Sequence, residues 1–355
     1  MSDLAEQFNP SASVPGSIDP ALDCEAGTGF EKVEIGNAVL YRADCLDVLK
    51  VMPENSVDLI ATDPPYFRVK DEEWDNQWKS ESDFLGWIVQ LCKEWQRVLR
   101  PNGSLYVFAS PQMAGKIEVE MTRFFNVLNH ITWVKGQVSR MAGHDVRLRG
   151  FVPMSERCLF AEHFGDQYAD NCSDLRGFVY APVVEYLRNE RNTAKMRNDE
   201  IDAACGWKTK AFHFFAQSGS NFCMPTAENY KCLREAMPGR FCREYEDLRR
   251  EYEDLRRPFK ATQRDQHTDV WTFAPMPGDA GRHPCEKPVP MMRHIIEVSS
   301  RPGAVVLDCF NGSGATGAAA YETGRKYIGI EKDPHWFKYG SRRIEEAQKQ
   351  MLLCL

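Results

Sequence analysis

The sequence predicts an α/β protein built on a doubly wound, mostly parallel, Rossmann-like sheet, with a module inserted between its two halves. Three observations predict it. Apolar runs of strand length alternate with helical patterns from residue 30 to about 160 and again from about 269, the signature of strands joined by crossover helices. The run Val57-Asp58-Leu59-Ile60-Ala61-Thr62 stops at Asp63-Pro64-Pro65-Tyr66, a corner that no ladder or helix interior can hold, because proline lacks an N–H and fixes φ. A second buried run, 304–308, leads into Cys309-Phe310-Asn311-Gly312-Ser313-Gly314-Ala315-Thr316-Gly317 and an alanine-rich helix, the strand, glycine loop and helix of a nucleotide-type site.

Taken in order, residues 1–29 are rich in Ser, Pro, Gly, Asp and Ala without periodicity and are expected to form a disordered tail. Residues 31–41 alternate into strand with a turn at Gly36-Asn37, and Asp44 sits just past the strand end. A short helix over 45–52 precedes the strand to Thr62. Residues 67–79, polar apart from aromatics such as Trp74 and Trp78, read as a surface loop over the site. Ser82-Asp83 is expected to cap a helix through Leu99, with Phe84, Trp87, Ile88, Leu91, Trp95 and Leu99 on one face. Pro101-Asn102-Gly103 should end it before a buried strand over 104–109. A helix over 112–125, a strand over 127–133 and a strand over 156–160 complete the first half, 30–164. Between the last two, Arg140, His144, Arg147 and Arg149 fall among glycines behind Lys135. That stretch is either a solvated loop or a track for phosphates, whose contacts supply most of the affinity for nucleic acid.

Over 165–268 the alternation breaks. Tyrosines, phenylalanines and Trp207 mix with Arg188, Arg191, Lys195, Arg197, Lys208 and Lys210, and the stretch reads as an inserted recognition module. Residues 189–205 read as one helix with a basic face, either solvated or in contact with DNA. Glu244-Tyr245-Glu246-Asp247-Leu248-Arg249-Arg250 recurs at once as Glu251-Tyr252-Glu253-Asp254-Leu255-Arg256-Arg257. Tyr245, Leu248, Tyr252 and Leu255 form a narrow apolar seam, and Glu246 with Arg250 and Glu253 with Arg257 are i,i+4 pairs. Two heptads are too few for a coiled coil, so the helix should pack on the module, with a dimer contact as the lesser alternative; Pro258 ends it.

Composition narrows the classes. The 355 residues are 43% hydrophobic and 27% charged, as in ordinary globular proteins. A net charge of -7 argues against a chain that coats nucleic acid non-specifically, while leaving room for a local basic groove. The 12 cysteines include no Cys-x-x-Cys pair, so no structural metal is expected. An acidic, polar start and the lack of a bilayer-length apolar run lead to the expectation of a reducing, cytoplasmic setting without membrane contact.

Two stretches carry chemistry. Asp63-Pro64-Pro65-Tyr66 offers a carboxylate, backbone carbonyls without neighbouring donors and an aromatic face. That set suits a planar, amino-bearing base, its exocyclic NH2 gripped by acceptors and its ring stacked on Tyr66; an ordinary turn with Tyr66 packing locally carries the same signal. Gly312-x-Gly314-x-x-Gly317 matches the dinucleotide fingerprint, and Glu331, ending a strand over 327–330, is spaced to hold ribose hydroxyls. Alone, this permits NAD. Asp308 lies before the glycines, however, where a carboxylate would repel a pyrophosphate but suit an α-ammonium. His283-Pro284-Cys285-Glu286-Lys287-Pro288, upstream, offers a cation for a carboxylate. Ammonium, carboxylate and ribose together describe S-adenosylmethionine.

On these motifs the chain resembles the beta-class DNA amino-methyltransferases, whose catalytic motif precedes the cofactor motif in a circularly permuted order. Asp63-Pro64-Pro65-Tyr66 is similar to their catalytic D-P-P-Y. Asp308-x-Phe310-x-Gly312-x-Gly314, enclosing Ser313, is similar to their cofactor loop. Glu331 matches the ribose acid, Asp44 the residue at the cofactor's adenine, and His283 and Lys287 the H-P-x-x-K-P element near the methionine moiety. The resemblance covers most of 30–160 and 269–344; Cys309 departs from it, standing where the family usually has proline.

The resemblance implies a methyltransferase sheet in which the strand ending at Asp308 lies beside the strand ending at Thr62. It implies S-adenosylmethionine as cofactor, double-stranded DNA as substrate and a flipped-out target base. Transfer should be direct and in-line, without a metal or covalent intermediate. The D-P-P-Y form, against S-P-P-Y, implies adenine N6 more than cytosine N4, and a cytosine-N4 DNA methyltransferase stays the alternative. Specificity, a homodimer and a cognate restriction endonuclease stay open. So do four rivals: a cytosine-C5 enzyme using Pro284-Cys285, an RNA or protein methyltransferase, an NAD enzyme, and a catalytically silent DNA-binding module.

Overall fold

The computed structural model describes residues 29–69, 72–136, 151, 153–163, 180–216, 222–260, 268–276, 283 and 285–353. Among the described residues, nine strands form a single sheet in the order β1-β2-β9-β8-β3-β4-β6-β5-β7. They are β1 (Glu31–Ile35), β2 (Ala38–Arg42), β3 (Val57–Thr62), β4 (Leu99–Ala109), β5 (Phe125–Val134), β6 (Ser155–His163), β7 (Val270–Trp271), β8 (Val305–Asp308) and β9 (Lys326–Ile330). From β2 through β9, β8 and β3 to β4 every neighbour is parallel. β6 runs antiparallel between β4 and β5, and β1 antiparallel beside β2.

Successive strand residues face opposite sides, and both sides are covered. Ile60, Leu105, Val107, Leu307 and Ile328 pack with helices α1 (Cys45–Val51), α2 (Glu81–Val98) and α3 (Ala114–Met121). Leu59, Ala61, Tyr106, Phe108, Val306 and Tyr327 face the other way, toward the later helices Val289–Ser299, Ala315–Glu322 and Pro334–Leu353. The sheet is therefore doubly wound. Leu59 pairs with Val306 and Ile60 with Leu307, which brings the ends of β3 and β8 together from distant parts of the chain.

Several local expectations are corrected. Ser80, not Ser82, caps α2: its Oγ accepts from Asp83 N at 3.1 Å while Asp83 Oδ2 accepts from Ser80 N at 3.0 Å, the reciprocal capping box that only an i,i+3 spacing allows. β4 begins at Leu99 instead of after Gly103, because the sheet absorbs Pro101-Asn102-Gly103 as an irregularity; the register jumps from Val57↔Leu99 to Leu59↔Ser104. Within the loop after Tyr66, Trp78 is half-buried: it packs on Phe84 and Trp87, with ring centroids 4.9 and 4.8 Å away.

The inserted region has its own core of Val183, Leu187, Ile201, Phe214, Tyr230, Leu233, Phe241 and Leu248. Its helices are α4 (Ala181–Ala194), α5 (Asn198–Ala204), α6 (Lys210–Phe214), α7 (Ala227–Ala236) and α8 (Tyr245–Leu255). The single helix expected over 189–205 is two, broken where Lys195 turns left-handed at φ 57°. The repeat forms α8, whose Leu248 is buried and whose Tyr245, Tyr252 and Leu255 pack on the module core. Its expected ion pairs are not made: Arg249 pairs with Glu253 at 2.7 Å, and Arg257 reaches Glu162 on β6 at 2.8 Å. The remaining helices are α9 (Val289–Ser299), α10 (Ala315–Glu322) and α11 (Pro334–Leu353). Among the described residues no helix is long and apolar enough to cross a membrane. The expected tail, the basic loop with Arg140, His144, Arg147 and Arg149, and Pro284 lie outside the described residues.

Candidate active site

A cavity of about 540 Å³ opens where β3, β8 and β9 end, within the roughly 300–1,000 Å³ usual for small-molecule sites. Asp44, Asp63, Pro64, Pro65, Tyr66, His283, Lys287, Asp308, Phe310, Gly312, Ser313 and Glu331 all line it; Gly314 does not.

The corner after β3 is held from below by Asp75, fully buried. Its carboxylate accepts from Tyr66 N and Val69 N, both at 2.6 Å, and its carbonyl accepts from Arg68 N at 2.9 Å. These bonds hold two consecutive non-glycine residues, Phe67 and Arg68, at φ 61° and 59°. Such backbone costs of order 1–3 kcal/mol per residue and persists only where the surroundings over-determine it. Pro64 and Pro65 supply carbonyls and no donors, as their chemistry requires.

Four side chains then lock together. Lys287, 6% exposed, donates to Asp63 Oδ2 and to the Tyr66 hydroxyl at 3.1 Å, and lies 3.2 Å from Glu156. Tyr66 donates to Glu156 Oε2 at 3.0 Å, and Lys135 covers the other Glu156 oxygen. Lys287, read from the sequence as a cation for a carboxylate, meets the chain's own Asp63 and Glu156 and still lines the cavity. Burial raises the Asp63 carboxyl against the pull of Lys287. Burial also acts to raise Glu156, but Lys287 and Lys135 outweigh it and hold Glu156 down to about 2. Burial works against the Lys287 charge, and its two carboxylates still push it above the ordinary lysine range. Asp63 Oδ1 is buried with no partner. An unsatisfied buried acceptor is costly unless a ligand meets it.

Across the cavity, Asp308 accepts from Thr62 Oγ1 at 2.9 Å, Phe310 N at 3.1 Å and Thr316 Oγ1 at 2.7 Å. Cys309 N donates to Thr62 Oγ1 at 3.1 Å, and Trp95 Nε1 donates to Cys309 Sγ at 3.2 Å. A proline at 309 could make neither bond, so the departure from the family pattern adds two contacts. Glu331 accepts from Gly312 N at 2.8 Å and Asp333 N at 2.9 Å. Burial pushes Asp308 up to about 6 and Glu331 up to about 7. Asp44 caps α1, accepting from Leu46 N at 3.1 Å, and meets Lys332 at 3.2 Å. His283 stacks edge-on with Trp336 at 4.6 Å, and burial, then Lys287, lowers it to about 4, so its ring is neutral at pH 7. Phe310 packs against Trp87 at 5.7 Å.

The glycines divide their roles. Gly312, at φ 46°, lies under the His283 ring. Gly314, at φ 75°, faces away from the cavity, where a Cβ would come 2.8 Å from the Gly340 carbonyl oxygen. Gly314 thus admits α11, while Gly312 lines the cavity. Sequence reasoning missed Glu156, Asp75, Thr62 and Thr316 as site residues. Only Thr62 had a signal, since parallel pairing of β3 with β8 would set it beside Asp308. No group of His, Cys, Asp and Glu among the described residues could hold a metal ion.

The arrangement can hold a cationic, hydroxyl-bearing nucleoside against carboxylates and aromatic walls, and can present an acceptor pair to an amino group beside it. Residues 57–342 match the model of a family described as DNA methylase. DNA adenine methyltransferase YhdJ of Escherichia coli (strain K12) is 27% identical over 326 residues, covering 90% of this chain and 87% of that protein. Type II methyltransferase M2.DpnII of Streptococcus pneumoniae is 24% identical over 327 residues, covering 86% of this chain and 89% of that one. Among solved structures, PvuII DNA methyltransferase (cytosine-N4-specific) shares the fold with a TM-score of 0.51 at 14% identity, covering 89% of this chain and 91% of its own.

Proposed function

This chain belongs to the DNA methylase family, and on that basis we propose that it transfers the methyl group of S-adenosylmethionine to N6 of an adenine flipped out of double-stranded DNA. The observation that carries the reading is Asp63 Oδ1, a buried acceptor without a partner, at a rigid Pro-Pro corner that shares one cavity with Asp308 and Glu331.

The residues present fit the cofactor. Glu331 keeps lone pairs for ribose hydroxyls beyond those its two backbone donors use. Asp308 braces the loop at Phe310 N and Thr316 Oγ1 and adds negative charge, and Asp44, Phe310 and His283 wall the remaining space. When bound, the cofactor supplies a methyl group on a sulfonium, an electrophile that needs no metal.

The chain's own work is positioning. The target ring stacks on Tyr66, whose orientation is fixed by Glu156, Lys287 and Asp75. Asp63 Oδ1 and the Pro64 carbonyl accept the two amino hydrogens, which aims the nitrogen lone pair along the line of transfer. Burial that raises Asp63 makes it a stronger proton acceptor than an exposed carboxylate. The module at 165–268 is read as the target-recognition part. The free state of the described cysteines agrees with a reducing cytoplasm.

Adenine is favoured over cytosine N4 by the Asp63-Pro64-Pro65-Tyr66 form and by the activity for which the E. coli relative is named. The fold shared with a cytosine-N4 enzyme does not choose the base. The order of the two motifs is that of the beta class. The test is transfer from labelled S-adenosylmethionine to duplex DNA of mixed sequence, followed by digestion to nucleosides. N6-methyladenine from the wild type and none from Asp63→Ala is expected. Methylcytosine would overturn the base assignment, and no transfer to DNA would overturn the substrate.

A further inference from the structure

Asp63 Oδ1 is not the only orphan at this cavity. Glu286 also lines it, with a side chain 4% exposed. Its Oε1 pairs with Arg343 at 2.8 Å, while its Oε2 is buried and has no partner. Arg343 is anchored in turn, donating to Ser313 Oγ at 3.1 Å and to Ser313 O at 3.4 Å. Glu286 N donates to His283 O at 3.2 Å. The carboxylate is therefore held between the turn at His283 and the glycine loop, with one oxygen engaged and one open.

The open oxygen asks for a donor. Arg343 balances the carboxylate's charge, but a buried carboxylate oxygen left bare costs on the order of 1–3 kcal/mol. Asp308, the residue whose place before the glycines first suggested an ammonium partner, already accepts from Thr62, Phe310 and Thr316. Lys287, the nearest lysine in the chain, is committed to Asp63, Tyr66 and Glu156. No other described side chain supplies the missing hydrogen.

We propose that Glu286 binds the α-ammonium of the cofactor's amino-acid moiety, with Arg343 fixing the carboxylate and Asp308 serving to brace the loop. This rests on the reading of the cofactor as S-adenosylmethionine. It makes Glu286 a residue that selects an amino-acid nucleoside over a plain one.

The experiment is calorimetric titration of the full chain and Glu286→Gln with two ligands. One is S-adenosylhomocysteine, which carries the same amino acid without the reactive methyl. The other is its analogue with the α-amino group replaced by hydrogen. Gln keeps an oxygen for Arg343 and turns an amide donor toward the ammonium. Glu286→Gln is expected to weaken S-adenosylhomocysteine by on the order of 10- to 100-fold, the size of a charge-assisted bond, and to leave the deamino analogue within about twofold. Equal weakening of both ligands, or of neither, overturns the inference alone. Failure of the wild type to bind S-adenosylhomocysteine overturns the cofactor reading and the inference with it. Should Glu286→Gln not fold, Glu286→Asp withdraws the charge by one methylene and is expected to show the same selective loss, smaller in size.

Discussion

Glu156 shows how one side chain can govern another without touching the reacting atoms. It shares Lys287 with Asp63 and takes the Tyr66 hydroxyl. Its negative charge raises Asp63, while Lys287 lowers it. Glu156→Gln keeps an acceptor for Tyr66 but leaves Lys287 to Asp63 alone, so Asp63 should become less basic. The expected outcome is a kcat lower by on the order of 10- to 100-fold, with cofactor affinity within about threefold, and an acid limb of the kcat profile moved to lower pH. An unshifted limb would reduce Glu156 to packing. Nothing in the sequence marked this residue, because its partners lie at positions 66, 135 and 287 and a glutamate opening a strand is commonplace. Asp63 and Tyr66 were legible because their rigidity is written locally, in two prolines. The carboxyls across the cavity affect stability with the opposite pH dependence to a carboxylate held low by an ion pair. Asp308 at about 6 and Glu331 at about 7 are raised by burial, so both protonate near neutrality. Their contribution to stability is full below the ordinary carboxyl range and is lost as pH rises through those values. Ligand binding needs the charged forms. Between pH 5 and 8 the ligand-free protein should lose stability from these groups while cofactor affinity rises, read by melting curves and titrations at matched pH.

At the scale of elements, the glycine loop is legible from its motif, but what its glycines do is not. A fingerprint reports spacing, whereas the fate of a missing Cβ depends on what lies beyond it, here Gly340 of α11. Gly314→Ala would force an L-residue to φ 75° and set its Cβ 2.8 Å from a backbone oxygen. The expected cost is about 2–4 kcal/mol of unfolding free energy in urea, together with weaker cofactor binding as the loop shifts. A change confined to affinity would restore the ligand-facing reading of this glycine. Other misses have the same cause. The break at Lys195 depends on a left-handed residue that propensity does not mark. The strand beginning at Leu99 needs its partner β3 before Pro101-Asn102-Gly103 can be recognised as an irregularity in a ladder. Unbroken apolar runs gave the strands of the parallel centre because both their faces are buried; the antiparallel place of β6 is a pairing fact, visible only when β4 and β5 are in position.

At the scale of the whole molecule, an acidic chain must still meet a polyanion. A net charge of -7 gives no general attraction to DNA, so affinity has to come from a restricted face. The inserted region is suited to that because it folds on its own core and is fastened to the sheet at a few defined points. Asn102 Nδ2 donates to Asp254 O at 2.7 Å, Arg301 donates to Arg256 O at 2.7 Å, and Arg257 sits over the rings of Phe160 and Phe259 at 5.3 and 5.6 Å. These anchors serve the fold and are not available to phosphates. Lys208 and Lys210, by contrast, are exposed on the stretch leading into α6, and neither has a carboxylate ion-pair partner among the described residues. If this face tracks the backbone, replacing both by glutamate should weaken duplex binding uniformly across sequences. It should also flatten the dependence of log affinity on log salt by about 1 for each phosphate that is no longer neutralised. Cofactor affinity, set by a cavity that neither lysine lines, should not change. Unchanged duplex affinity with the salt slope intact would instead place these lysines outside the DNA path. Phosphate binding would then fall to the basic stretch 136–150, the other candidate read from the sequence.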